Sequence, residues 1–291
     1  MTNTNQPPTP APPAKTTRRG WLKRTLLYGA AAAAAGVGYS ALEAGWLTIK
    51  QQRVALPGLP AEWRGVRIAQ LTDVHHGPFT GLEYIANAVT LANAQKPDLI
   101  LLTGDYSHRH SKYILPCIRE LGELRAPLGV YTIPGNHEYY KGIHLYHEAL
   151  RFTDIRDLTN ESVILRHRGA ELALAGIDDH IMGWPNIAQA LANVKSELPT
   201  LLLSHNADAI LNLDDPRVKL ILSGHTHGGQ VSIPFYGAPF LPGDYQAPYV
   251  AGLYQTPTAQ IYVSRGIGTI SPPLRFNAPP ELTILELDVA A

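Results

Sequence analysis

Short apolar runs that each end in a polar motif constrain the fold of this 291-residue chain most strongly. Five such runs lie at residues 65–71, 99–102, 129–133, 200–203 and 220–222. The second run is wholly apolar, as expected for a strand that is buried on both faces. Between the first three runs, residues 82–95 and 114–124 carry apolar side chains at helical spacing. This alternation predicts an α/β fold in which helices cover a mixed sheet.

The rest of the chain extends the same architecture. Residues 162–166 and 171–176 predict a β-hairpin around Arg168-Gly169, and residues 261–264 and 282–287 predict two late strands. With 45% apolar and 16% charged residues, the chain has enough material for a buried core. We therefore expect a leader at residues 1–44, a linker at 45–64 and a single domain at 65–291.

The side chains that follow the five runs are those with which proteins bind metal ions. In open α/β sheets, ligands bind outside the carboxyl ends of the strands, so these side chains are expected to converge. The predicted metal ligands are Asp73, His75, Asp105, Asn136, His205, His225 and His227. Because seven candidates exceed the need of one ion, two ions sharing a carboxylate are expected. Asp105, central in chain order, is the natural bridge.

The chemistry of this ligand set narrows the choice of metal. Carboxylates, imidazoles and one carboxamide suit Mn, Fe, Zn or Co, and are too rich in nitrogen for a dedicated Mg or Ca site. Asp73 and His75, like His225 and His227, are two residues apart, so an extended backbone would place both members of a pair on one side. Adjacent glycines, such as Gly135 and Gly224, would let backbone approach a crowded centre.

Other polar residues near these motifs receive weaker interpretations. His76 is predicted to be a loop residue that lines the mouth of the site, and His108 and His110 to lie in a solvated loop, with contact to the substrate as the alternative. Asp178-Asp179-His180 is predicted to form a turn. Glu138 is left without a role. Candidate substrate neighbours are Tyr106, Arg275 and Phe276.

The first forty-four residues have the pattern of an export signal. Arg18-Arg19 precedes an uncharged, Ala/Gly-rich run at residues 25–42, and this resembles the signal read by the bacterial twin-arginine translocase. The first fourteen residues are rich in proline and are predicted to be disordered. Export across the cytoplasmic membrane, to the periplasm or outer face, is therefore expected. The alternative is an uncleaved membrane anchor, since eighteen uncharged residues nearly suffice to cross a bilayer.

Charge and cysteine content argue against a nucleic-acid-binding protein and against a disulfide or thiolate metal site. Residues 45–291 hold 19 basic and 23 acidic residues, whereas a protein that binds the phosphate backbone usually has a basic face. No nucleic-acid partner is expected. Cys117 is the one cysteine, so neither an intramolecular disulfide nor a thiolate metal site is predicted.

The motifs resemble a known family. Asp73-x-His75, Gly104-Asp105, the run from Gly135 to Glu138, a lone His205 and Gly224-His225-x-His227 match, in order and spacing, the calcineurin-like metallophosphoesterase superfamily over residues 66–230. The C-terminal run from Ser264 to Gly268, with Pro279-Pro280-Glu281, is similar to a bacterial branch of twin-arginine-exported phosphodiesterases. This resemblance implies a four-layer α/β/β/α sandwich with two mixed sheets.

The resemblance also implies roles for the ligands. Asp73, His75, Asp105 and His227 would hold one ion, and Asp105, Asn136, His205 and His225 would hold the other. His137 would stay free of metal and contact the phosphate or the leaving group as a catalytic acid. The expected cofactors are thus two divalent ions, with Mn, Fe and Zn as the candidates.

The implied activity is hydrolysis of a phosphodiester or pyrophosphate bond by in-line attack of a hydroxide that bridges the two ions. The expected substrate is a small-molecule or lipid phosphoester, and relatives similar to UDP-2,3-diacylglucosamine hydrolases suggest a lipid-linked or nucleotide-sugar compound with membrane association. An exported nuclease or phosphomonoesterase, and a non-catalytic metal-binding envelope protein, are the alternatives. Because every ligand motif is present, the sequence favours an enzyme.

Overall fold

The computed structural model describes residues 17–108, 110–242 and 245–290, and the chain divides into two units between Tyr39 and Ser40. In the first unit, the described residues form most of helix α1 (Arg18–Glu43), which is 26 residues long. By length and composition this helix could cross a membrane, a test that signal sequences also pass. The proline-rich segment predicted to be disordered falls within residues 1–16, outside the described residues.

The second unit contains two six-stranded sheets. The strands are β1 (Thr48–Leu56), β2 (Arg67–Leu71), β3 (Leu99–Leu102), β4 (Val130–Thr132), β5 (Arg156–Asp157), β6 (Glu161–His167), β7 (Ala170–Gly176), β8 (Thr200–Leu203), β9 (Val218–Ser223), β10 (Gly252–Gln255), β11 (Gln260–Val263) and β12 (Glu281–Val289). The first sheet has the order β1-β12-β2-β3-β4-β5, and the second β10-β11-β9-β8-β7-β6. Each sheet combines parallel and antiparallel pairs, so both are mixed as expected.

Helices cover the outer face of each sheet. They are α2 (Leu82–Ala94), α3 (Ile114–Leu121), α4 (Asn136–Lys141), α5 (Ile143–Leu150) and α6 (Ile187–Ala190). Along β3, Leu99 and Leu101 belong to the core between the two sheets, whereas Ile100 and Leu102 pack in the cluster that contains α2 and α3. This two-residue alternation explains why the run is apolar throughout. The predicted four-layer sandwich is therefore confirmed.

The second unit begins earlier in the chain than the sequence suggested. Residues 45–64, predicted to be a linker, instead contain β1, which pairs with β12 in parallel from Thr48↔Glu281 to Leu56↔Val289. Most side chains of β1 are exposed, so its sequence lacks the apolar pattern that predicts a strand. Its partner strand, β12, lies more than two hundred residues away in the sequence. Upstream of β1, buried Ser40 and Glu43 accept hydrogen bonds from the backbone N–H groups of Arg275 and Ala278.

Candidate metal centre

The structure brings the predicted metal ligands together at the carboxyl ends of five strands. Asp73 and His75 follow β2, Asp105 follows β3, and Asn136 begins α4 just after β4. His205 follows β8, and His225 and His227 follow β9. All seven side chains are buried. Neighbouring parallel strands end at the same edge of a sheet, and the two sheets contribute their edges to one centre.

Six of these residues form two clusters whose candidate ligand atoms lie within 4.8 Å of one another. Cluster 1 is Asp73, His75 and His227, and cluster 2 is Asp105, His205 and His225. The carboxylate of Asp105 stands between them: its Oδ2 lies 3.3 Å from His205 Nε2 and 3.5 Å from His75 Nε2. This is the arrangement that a bridging carboxylate requires.

The donor atoms fit divalent metal ions. His75 Nε2 and His227 Nε2 are 3.0 Å apart, and His225 Nδ1 is 3.2 Å from His205 Nε2, so imidazole nitrogens converge in each cluster. Asn136 Oδ1 is buried without a hydrogen-bond partner among the described residues, a costly state that a cation would relieve. Nitrogen and oxygen donors in this ratio suit Mn, Fe or Zn.

The predicted extended backbone of the Asp73/His75 and His225/His227 pairs is wrong. Asp73, His75, Asp105, His225 and His227 have φ angles of 52°, 47°, 59°, 68° and 53°, in the left-handed region that residues with a side chain rarely adopt. The pairs therefore do not leave their strands in extended backbone, and His225 and His227 point into different clusters. Such conformations concentrate at functional sites, where surrounding contacts impose them.

Two glycines allow the loops to approach as closely as predicted. A Cβ atom at Gly135 would lie 2.3 Å from Asp105 Oδ1, and one at Gly224 would lie 2.2 Å from Asp73 Oδ2. Both distances are far below van der Waals contact, so a larger residue at either position would displace a carboxylate of the centre.

Burial keeps two of the four imidazoles, those of His225 and His227, in the neutral form that binds metal. Burial lowers the pKa of His225 to about 4, and it also lowers the pKa of His227 well below its usual value. Both rings are therefore neutral at pH 7 and have a lone pair to donate. His205 differs: burial disfavours its charge, but the carboxylate of Asp105 outweighs burial and raises the pKa of His205 well above the usual value. A metal ion at His205 must displace that proton.

His137 lies beside the two clusters in a fixed orientation. Its backbone N–H donates to Asp105 Oδ1 at 3.0 Å, and its Nδ1 lies 3.1 Å from the carbonyl oxygen of Ser107. Donation from Nδ1 leaves Nε2 to take up or release a proton. Burial lowers the pKa of His137 below the usual histidine value, although Asp105 opposes this shift.

A polar cavity of about 580 Å³ opens in front of cluster 2 and His137. Asn136, His137 and His225 form its floor, and Tyr140, His180 and Gln246 are among its walls. We call this space the polar cavity. It gives a bound molecule hydrogen-bonding groups next to the metal ligands.

Glu138, to which the sequence pattern assigns no role, connects two loops of the centre. It is completely buried, and its carboxylate accepts backbone N–H groups from Asp105 at 2.9 Å, Tyr106 at 2.9 Å and Gly135 at 3.0 Å. Burial and the charge of Asp105 raise the pKa of Glu138 to about 8. Glu138 thus ties the loop after β3 to the loop after β4. In the sequence, only its position directly after Asn136-His137 indicates that it belongs to the centre.

Arg275 and Tyr106, considered as substrate neighbours, have internal roles instead. Both are completely buried. Arg275 donates to the carbonyl oxygens of His227 at 3.3 Å and Ala278 at 2.9 Å, and its Nη2 lies 3.2 Å from His227 Nδ1. Arg275 therefore supports cluster 1 from behind.

The neighbouring histidines only partly follow expectation. His108 is buried rather than solvated, and its ring packs 5.6 Å from that of His137. His76 is also buried, with Nδ1 2.8 Å from the carbonyl oxygen of Thr80, whereas His110 is exposed. Asp178-Asp179-His180 forms the predicted turn, closed by Asp179 Oδ2, which accepts the N–H groups of Ile181 and Met182. The burial of His76 and His108 could not be predicted from the loop sequence, because other segments of the chain cover them.

The C-terminal motif packs against cluster 1. The N–H groups of Ile267 and Gly268 donate to the carbonyl oxygens of Thr72 and Asp73 at 3.0 and 2.8 Å. A Cβ at Gly268 would lie 2.1 Å from the carbonyl oxygen of Val74, so this contact requires glycine. The segment therefore holds the loop that carries Asp73 in place.

Comparison with known proteins agrees with this geometry. The calcineurin-like phosphoesterase family model matches residues 66–229, so the chain belongs to that family. It is accordingly a metal-dependent hydrolase of phosphoesters, and the family uses two divalent metal ions, for which the clusters provide donors.

Individual relatives extend the match. The chain is 34% identical to metallophosphoesterase YkuE of Bacillus subtilis, covering 94% of this chain and 98% of that protein. It is 33% identical to phosphodiesterase YaeI of Escherichia coli, covering 93% and 98% respectively. A bovine transmembrane protein with a metallophosphoesterase domain is 33% identical over 80% of this chain, which spans 55% of that relative.

Proposed function

We propose that the protein hydrolyses a phosphodiester or pyrophosphate bond in a small or lipid-linked phosphoester outside the cytoplasmic membrane. Asp73, His75, Asp105 and His227 hold one divalent ion in this proposal, and Asp105, Asn136, His205 and His225 hold the other. The observation that supports it most is the carboxylate of Asp105, which lies within 3.5 Å of an imidazole nitrogen from each cluster. The similarity to a named phosphodiesterase over almost the whole chain adds support.

The reaction needs a positive centre and a proton donor. When bound, two divalent ions lower the pKa of water and clamp the phosphoryl oxygens. The buried carboxylates and neutral imidazoles determine where the two ions would bind. Glu138 holds the loop of Asp105 against the loop of Asn136 through hydrogen bonds to the N–H groups of Asp105 and Gly135. The substrate enters through the polar cavity, whose floor includes His137.

His137 supplies the proton. With Nδ1 held at the carbonyl oxygen of Ser107, Nε2 is the atom that passes a proton to the departing alkoxide. Burial favours neutral His137, and an incoming phosphate anion favours the protonated form. Release of the proton as the ester bond breaks therefore restores the preferred neutral ring.

The test combines metal analysis with a soluble diester. Purified protein loaded with Mn, Fe or Zn should bind two ions per chain and hydrolyse bis-p-nitrophenyl phosphate. Two bound ions without hydrolysis of this diester, or of a panel of monoesters, nucleotide sugars and phospholipid diesters, would instead favour the non-catalytic envelope protein.

The proposed location rests on the first unit. Arg18 and Arg19 begin an apolar helix, and one relative is described as a transmembrane protein. We propose export by the twin-arginine translocase, with residues 18–43 retained as an anchor or removed as a signal. Replacing both arginines by lysine should leave the protein in the cytoplasmic fraction. Unchanged export of that variant would contradict this route.

A further inference from the structure

A second cavity, of about 420 Å³, borders the metal centre at His227. His227 of cluster 1 lies at its inner end, and Val231, Phe240, Leu241, Ile270 and Leu274 are among its walls. We call this space the apolar cavity. Pro242 lines both it and the polar cavity, so the two spaces adjoin at this residue. Their volumes lie within the range typical of small-molecule sites.

The walls of the apolar cavity are joined by hydrogen bonds. The Gln230 amide donates to the carbonyl oxygen of Pro272 at 3.1 Å and accepts the N–H of Ile270 at 2.8 Å. The N–H of Phe276 donates to the carbonyl oxygen of Gln230 at 2.8 Å. These hydrogen bonds connect the segment that contains Gln230 to residues 270–276. The side chains that face a ligand are mainly hydrocarbon.

Exposed aromatic side chains lie in the wall of the apolar cavity and on the turn that precedes it in sequence. Phe240 lines the cavity and is more than three-quarters exposed. Phe235 and Tyr236 are also more than three-quarters exposed, on the preceding turn, which is closed by reciprocal 2.8 Å hydrogen bonds between Ile233 and Gly237. The sequence from residue 230 to residue 242 contains no charged residue. An ordered, uncharged turn with aromatic rings in water is typical of a surface that contacts lipid.

The chain enters the second unit beside the same cavity. The carbonyl oxygen of Ser40 accepts the N–H of Arg275 at 2.9 Å, and Leu274, the preceding residue, lines the cavity. Tyr39 is the last residue of the first unit and lies in the apolar helix, so any membrane that holds this helix is covalently connected to a point next to the cavity wall. The chain connection therefore limits how far the cavity can lie from such a membrane.

We infer that the apolar cavity holds a hydrocarbon chain of a membrane lipid whose phosphoester lies at the metal centre and whose polar substituent occupies the polar cavity. This inference rests on the proposed phosphoesterase activity. The substrate class that fits is an amphiphilic phosphodiester: one substituent on phosphorus is apolar, and the other carries hydrogen-bonding groups. The aromatic turn contacts the lipid surface from which the substrate is taken.

The experiment uses the full-length, metal-loaded protein and p-nitrophenyl alkyl phosphodiesters with chains from ethyl to decyl, kept below their micelle concentrations. Burying each added CH₂ group should raise kcat/KM by about two- to four-fold until the cavity is full. Phe240→Ser and Leu274→Asn should flatten this dependence on chain length. The control is Phe152→Ser, another exposed aromatic that does not line the cavity, and it should keep the wild-type slope.

Bis-p-nitrophenyl phosphate separates two kinds of failure. If it is hydrolysed but the alkyl series is flat in the wild type, or the slope survives in both cavity variants, the apolar cavity does not hold the chain and this inference is wrong. If neither bis-p-nitrophenyl phosphate nor any alkyl ester is hydrolysed, the proposed function itself fails.

A second experiment tests whether the substrate reaches the cavity from a lipid membrane. The rate for a long-chain ester in phosphatidylcholine vesicles, divided by the rate for a short-chain ester in solution, should fall several-fold in Phe235→Ser. An unchanged ratio would mean that the substrate does not reach the cavity from a lipid surface through this turn.

Discussion

The two clusters of the metal centre are built from the same residue types but are supported in different ways. Cluster 1 is backed by the C-terminal segment, through Arg275 behind His227 and the N–H of Gly268 on the carbonyl oxygen of Asp73. Cluster 2 is backed by the sheet: His205 Nδ1 lies 2.7 Å from the carbonyl oxygen of Thr103, at the end of β3. Cluster 2 also opens into the polar cavity through His225. Cluster 1 thus depends on a segment that is distant in sequence, whereas cluster 2 faces the polar cavity.

The largest effect is expected where the two clusters meet. Asp105→Ala removes the carboxylate that contacts both, so the variant should lose both ions and show only background hydrolysis of bis-p-nitrophenyl phosphate. Elemental analysis of the purified protein gives the metal count. Asp215→Ala, which removes a carboxylate paired with Arg217 away from the centre, is the control. Retention of both ions by Asp105→Ala would show that this carboxylate is no bridge.

A second substitution separates proton transfer from metal binding. His137→Ala should lower kcat by about 10²–10⁴-fold while the protein keeps both ions, because the ring donates to Ser107 and not to a ligand. His147→Ala, in a half-exposed histidine bonded to Asp157, should leave kcat unchanged. Loss of metal in His137→Ala would mean that this imidazole is itself a ligand.

A third substitution tests whether the two clusters are supported separately. Arg275→Met removes the support behind His227 and should weaken the ion at cluster 1 by about 10–100-fold, with little change at cluster 2. Titration calorimetry would resolve the two binding steps, and Arg53→Met, at an exposed guanidinium, serves as the control. Equal weakening of both steps would show that the clusters are not supported separately.

The sequence predicted the parts of this centre that depend on local pattern. Apolar runs followed by Asp, Asn or His located all seven candidate ligands, because parallel strands of one sheet end at a common edge. It could not predict that His225 and His227 would separate into two clusters, since their left-handed φ angles are imposed by tertiary contacts. The role of Glu138 and the pairing of β1 with β12 likewise depend on residues that are distant in sequence or in other loops.

The smallest effect concerns pH and distinguishes cluster 2. Asp105 raises the pKa of His205, so the metal-free protein holds a proton on His205 at neutral pH, and the ion must displace it. Metal affinity at cluster 2 should therefore rise with pH between about 6 and 8, by at most about tenfold per pH unit for one displaced proton. His227 of cluster 1 is neutral and has no proton for an incoming ion to displace. Calorimetry in buffers of different ionisation enthalpy counts the protons released, and a pH-independent affinity at cluster 2 would contradict the assignment.

The central claim is that two ions share the carboxylate of Asp105. Electron paramagnetic resonance of the protein loaded with Mn²⁺ tests it directly, because ions about 3.5–4 Å apart and joined by a bridging ligand are magnetically coupled. We expect the spectrum of a coupled pair at two ions per chain, and its disappearance in Asp105→Ala. A six-line spectrum of isolated Mn²⁺ at full occupancy would contradict a shared site.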